Sequence, residues 1–198
     1  MLTDQPKKAA YAGLGLAAAM LVLWSLVAGV DGRALVSFLF RLAHVLSAMV
    51  WVGLIVFINF VQLEATRLGD DTTKGVLHAS VAPQVAWWVR HASTFVVVTG
   101  AVLLLLAGYL LPSLVYSTDV YVPPARAIML WLGVAAAFVM WMFVHMYIWP
   151  NMQVVIGLRP GDAAAKQAAR ARVVKYSRLN LVLALPVTLV MVAAGHLY

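Results

Sequence analysis

Five apolar runs, each long enough to cross a bilayer, decide most of what this chain can become. They are read at about 10–30, 35–63, 84–111, 124–149 and 176–197. Roughly 18 or more apolar residues with few charges mark a transmembrane helix. Only helices and closed barrels satisfy their backbone groups inside a bilayer, and runs of this length select helices. The expected fold is therefore all-α: an integral membrane helical bundle of about five spans, forming a single domain over 1–198. The first run follows Lys7 and Lys8 as a signal peptide would, but it is too long for a typical signal core and is read as a span. The second is long enough to tilt or to protrude at one end.

Composition agrees. The chain is 64% hydrophobic and 11% charged, whereas soluble domains are nearer half apolar and a quarter charged. It contains no cysteine, which excludes disulfides, thiolate metal sites and covalently attached c-type haem. The net charge of +7 is not read as a nucleic-acid footprint, because in a membrane chain the placement of basic residues matters more. Lys7 and Lys8 precede the first span, and Arg67 and Lys74 follow the second. Arg159, Lys166, Arg170, Arg172, Lys175 and Arg178 follow the fourth, while the alternate side holds Arg33, Arg41 and Arg126. Basic loops stay inside, so the N-terminus is expected in the cytoplasm and the C-terminus on the opposite, periplasmic side if the membrane is a bacterial inner one. The segment 157–178 begins with a turn and continues as a basic extension of span five, suited to anionic lipid headgroups. The loop 117–127, with two prolines, is expected to cap the outer face.

Four of the five histidines lie in or near spans, and their depths sort them into pairs. His44 and His196 fall near the outer ends of spans two and five. His91 and His145 fall near the inner ends of spans three and four. A neutral imidazole is a good axial ligand for haem iron, and two on facing helices can hold a porphyrin between them. Pairing by depth predicts two haems b; a single haem on the outer pair is the alternative. Propionates need cations: Arg41 and Arg126 are available near the outer pair, Arg90 and Arg178 near the inner one. Trp141 lies one turn from His145, and Trp51 two turns from His44, so each shares a helix face with its histidine. Gly53, Gly100 and the small residues before His196 would let a flat macrocycle approach. For each histidine the competing reading is a packing residue hydrogen-bonded to a neighbouring helix. His78 is read as a loop residue with no role. Met142 and Met146 beside His145, and Met49 after His44, keep a copper site open. The amides Asn59, Gln62, Asn151 and Gln153 are read as helix-end caps, with a polar site for a small substrate as the alternative.

Three segments carry a family resemblance. "HVLSAMVWVG", "FVHMYIWPNMQ" and "SRLNLVLALPVTLVMVAAGH" resemble, in the same order, the N-terminal-domain family of the membrane-bound bacterial urate oxidases (urate hydroxylases). The resemblance covers about positions 38–196 and falls on His44, Trp51, Gly53, Pro150, Asn180, Pro186 and His196. It implies a membrane protein that passes substrate electrons toward cytochrome c. This chain departs from the family in being shorter and in lacking the cysteines of a cytochrome c domain. The electron-handling core is thus what the resemblance implies, with the acceptor on a separate chain. The pattern His44, Trp51, Gly53 also resembles the membrane protoporphyrinogen oxidases and the copper-resistance membrane proteins.

The resulting expectation is a membrane b-type cytochrome, within or beside a larger redox complex, whose partners are membrane lipid and a separate electron-transfer protein such as a cytochrome c, with no nucleic acid. The alternatives are a haem-dependent membrane oxidase of urate-like or porphyrinogen substrates, and a copper-handling membrane protein.

Overall fold

The computed structural model describes residues 5–106, 109 and 122–197, and there it is all-helical. Five helices are long and apolar enough to cross a membrane: α1 (Pro6–Ala28), α2 (Gly32–Leu68), α3 (Asp71–Leu106), α4 (Pro124–Val155) and α5 (Ala163–His196). Residues 117–121 of the proline-containing loop and Tyr198 lie outside the described residues.

Local chemistry sets the helix ends. Gly29, at φ +60°, takes the left-handed cap position that ends α1, and its N–H bonds the Ser25 carbonyl. Asp31 accepts from the backbone N–H groups of Arg33 and Ala34 at 2.8 and 3.0 Å and starts α2. Asp162 caps α5 through the Ala165 N–H at 2.7 Å. Helices α3 and α5 therefore begin at residues 71 and 163, about a dozen residues before hydropathy alone would start a span. Their first turns are rich in alanine, lysine and arginine or are capped by aspartate, which favours helix without apolar content. One consequence is that His78 lies on α3 rather than in a loop.

Three of the helices contain one wide π-turn each. The Leu63 N–H reaches the Ile58 carbonyl, Ala82 reaches Leu77, and Trp149 reaches Val144. The second and third turns end two residues before Pro83 and Pro150. A proline inside a helix has no N–H to donate and its ring clashes with the carbonyl four residues back; a widened turn accommodates both. In the first, no proline is involved: the Asn59 side chain takes the Ile55 carbonyl instead, at 2.9 Å. Helix α5 continues through Pro186.

The chain divides after Leu39 into two units. In the first, α1 has no buried residue, and Trp24 packs on Phe38 with ring centroids 5.7 Å apart. In the second, α2 from Phe40 onward joins α3, α4 and α5 around a core of Trp51, Ile55, Val96, Met140, Val144 and Ala184. Helices α4 and α5 pack closely: a Cβ at Gly133 would come within 3.0–3.1 Å of Met191 and Val190.

Candidate functional site: the helix-borne histidines

His44 projects from α2 onto α3. Its Nδ1 lies 3.0 Å from the Val96 carbonyl and 3.2 Å from the Thr99 hydroxyl. A carbonyl only accepts, so Nδ1 carries the proton and Nε2 keeps the lone pair. The ring rests against Gly100, where a Cβ would stand 3.0 Å from Cε1. Gly100 thus makes room for His44; its nine-residue spacing from His91 is incidental.

His145 and His91 repeat this arrangement within their own helices. His145 Nδ1 donates to the Trp141 carbonyl at 3.1 Å, and His91 Nδ1 to the Trp87 carbonyl at 2.7 Å. Each imidazole stacks on the indole one turn earlier, with centroids 4.5 and 4.1 Å apart. His145 Nε2 also lies 3.1 Å from the Thr94 hydroxyl of α3, and the Trp141 indole N–H donates to that oxygen at 3.4 Å. The Thr94 hydroxyl has a second acceptor, the Arg90 carbonyl at 3.0 Å. His91 and Arg90 stand three and four residues before Thr94 on α3, within about one turn of the hydroxyl that His145 meets. The inner pair therefore belongs to one neighbourhood across α3 and α4.

The outer pair is arranged differently. His196 is exposed and is the last residue of α5, while the hydrogen bonds of His44 go to α3. Arg126 ties α4 to the same end of α5: its Nε donates to the Ala194 carbonyl at 3.0 Å, and its guanidinium lies over the Tyr109 ring. Arg90 lies over Trp149, 4.5 Å from the ring centroid. Arg41 and Arg178 are exposed. Gly53 is exposed, and a Cβ there would meet nothing within 4 Å. Trp51 is buried, 2% exposed, and its indole N–H has no acceptor. Among the described residues no three His, Asp or Glu side chains gather as a metal cluster.

Sequence reasoning missed Thr94 and Thr99. Both stand in the run "STFVVVTG", where three hydroxyls beside valines are the available signal. Chemically, a neutral imidazole whose Nδ1–H is held by a carbonyl is oriented to offer Nε2 to a metal, the usual outer support of a ligating histidine. Thr94 is compatible with that use, because its hydroxyl can turn wholly to the Arg90 carbonyl. The donor set fits haem iron in this respect. No protein-family model, curated protein or solved structure matches the chain.

Proposed function

We propose that this chain is a multi-pass b-type cytochrome of a bacterial inner membrane, with its N-terminus in the cytoplasm, exchanging electrons with a separate carrier such as a cytochrome c. The observation that carries the reading is the shared state of His44, His91 and His145: each gives Nδ1–H to a backbone carbonyl, which leaves Nε2 with its lone pair, and that of His145 is released for a ligand bond when the Thr94 hydroxyl turns to the Arg90 carbonyl. Intramembrane imidazoles are costly and mostly functional. The resemblance of three segments to an electron-handling membrane family supports the same reading.

His44 with His196, and His91 with His145, would hold two haems b, and each such pair would supply one-electron exchange and leave no site for oxygen. The protein residues supply the rest. Arg126 and Arg90 provide cations near the two pairs, Trp141 and Trp87 fix the imidazole planes by stacking, and the Trp51 N–H is a further donor for a bound group.

The test is a reduced-minus-oxidised visible spectrum of the purified protein with pyridine-haemochrome quantification. A sharp α band and about two haems per chain are expected. A ratio near one retains a single pair. Absence of a Soret band with copper in the metal analysis would overturn the cytochrome reading in favour of copper handling. Reporter fusions test the topology, with a periplasmic-type reporter active at the C-terminus.

A further inference from the structure

A cavity of about 50 Å³ lies among α2, α3, α4 and α5, and no histidine lines it. Its polar lining comes from two helices: Asn59 and Gln62 of α2, Ser177 and Asn180 of α5. The opposite side is apolar, with Ala82, Ala86 and Val89 of α3 and Val144 and Ile148 of α4. Four side-chain atoms on the polar side are buried without a partner: Asn59 Oδ1, Gln62 Oε1, and both Oδ1 and Nδ2 of Asn180. Asn180 is 1% exposed and Gln62 9%.

Such atoms do not persist unpaired in an apolar interior, where each costs free energy comparable to a lost hydrogen bond. The Asn59 amide cannot turn away to relieve this. Its Nδ2 is held by the Ile55 carbonyl at 2.9 Å and the Ser177 carbonyl at 3.3 Å. An independent feature marks the same place. All three π-turns border the cavity: Ile58, Asn59 and Gln62 belong to the first, Ala82 follows the second, and Val144 and Ile148 belong to the third. Widened turns of this kind recur where helices make room for a ligand.

We propose that this cavity is an internal binding site for small uncharged molecules that both donate and accept hydrogen bonds. Charge is excluded because the lining holds no ionisable side chain. Three unpaired acceptors ask the guest for O–H or N–H groups, and Asn180 Nδ2 asks it for an oxygen. A water needs roughly 10–15 Å³ of such volume, so the space takes a few waters or one molecule of carboxamide size; benzene, which fills a cavity of about 150 Å³, is too large. Water and a small carboxamide or carbonyl solute share this chemistry. The site stands independently of the cytochrome reading.

The experiment combines two substitutions with solid-state NMR of the lipid-reconstituted protein. If the amides are bonded to a guest, Asn180→Leu and Gln62→Met each remove real hydrogen bonds, and the melting temperature falls by at least about 2 °C. If the cavity is dry, the same changes delete unsatisfied groups, the melting temperature rises, and the proposal is overturned. Water-edited spectra should reveal water in contact with the Asn180 side-chain amide. Acetamide is the solute probe: loss of that water contact, with shifts at Asn59 and Asn180, identifies a solute site, and unchanged spectra identify a water site. Contact with neither water nor acetamide overturns the proposal even if a variant fails to fold. None of these readouts uses haem, so failure here leaves the spectrum untouched, and failure of the cytochrome reading leaves this result standing.

Discussion

Around His145, the ring nitrogens, the Thr94 hydroxyl and the Trp141 indole N–H all have partners within 3.4 Å. Around Asn180, four amide atoms have none. The first network is half-buried on α3 and α4, whereas Asn180 and Gln62 are buried on α5 and α2. Beyond burial, the difference lies in how the polar residues are spaced. Trp141 and His145 are one turn apart on one helix, and Thr94 faces them from α3, so the network closes on itself. Asn59 and Gln62 approach from the π-turn of α2 and Asn180 from α5, and the three face a space that they do not close. A closed polar network gives rigidity and orientation, whereas an open one requires a guest.

The largest expected effects test whether the histidine region is a ligand set as well as a packing device. His44→Ala removes one proposed axial ligand, and the low-spin bis-histidine signature of that haem should be lost while the protein still inserts. His196→Ala should produce the same loss at the same haem, and His145→Ala should affect the other one. His78→Ala should leave the spectrum unchanged. If His44→Ala and His196→Ala affect different haems, the outer pairing is wrong. If no histidine variant alters the spectrum, these residues only pack helices, and the contrast between the two regions reduces to one of satisfied against unsatisfied groups.

The next effect concerns how His44 is held. Gly100→Ala would place a methyl 3.0 Å from Cε1 and 3.3 Å from Nδ1. The ring must then shift by a few tenths of an ångström, away from Val96 and Thr99. Overpacking of this kind costs about 1–3 kcal/mol. Thermal unfolding should register the loss, and the His44 imidazole resonances should move. Unchanged resonances would mean that the ring is not seated against α3.

A smaller effect is expected at Thr94. Thr94→Val keeps the shape but removes the oxygen that joins Trp141 to His145. Two polar atoms lose a partner at a half-buried position, for a cost of about 1–2 kcal/mol. Thr94→Ser should restore most of it. If Thr94→Val proves neutral, the network is not closed by this hydroxyl, and the contrast with the amide cavity weakens.

Much of the first region was legible in the sequence, and little of the second. The five spans follow from hydropathy, and the Trp141–His145 stack follows from a spacing of four residues on one helix. What lies across helices does not. Nothing local indicates that His44 would meet Gly100, or that Asn180 would join Asn59 from 121 positions further along the chain. Asn151 and Gln153 illustrate the same limit. Their position at a helix end places them beside Asn59 and Gln62, yet Asn151 back-bonds to the Tyr147 carbonyl at 2.7 Å and neither residue lines the cavity. Pro150 is read from the sequence and Pro83 is not, but either proline indicates only that a helix must adjust, and the form of the adjustment depends on the neighbouring helices.

The smallest expected effect comes from Asp70, which lies outside both regions and sets a floor for them. Its carboxylate accepts the Thr73 N–H at 2.8 Å and caps α3 in full exposure to solvent. Hydrogen bonds from the Thr73 side chain and then its backbone, with Lys74 nearby, hold the carboxyl below the usual aspartate range. A depressed folded value means that the unfolded chain takes up the proton first. The stabilisation is therefore complete above the ordinary aspartate pKa of about 3.9 and is lost as pH falls through the folded value. Asp70→Asn keeps a good cap without a titrating group. The difference in melting temperature between the native protein and Asp70→Asn should be flat near neutral pH and should change on the acid side only, by less than the Thr94→Val effect. Spectrum and cavity hydration should not respond to this substitution. A pH-dependent difference larger than the Thr94→Val effect would mean that an exposed cap outweighs a half-buried network, and ranking these interactions by burial would then be wrong for this protein.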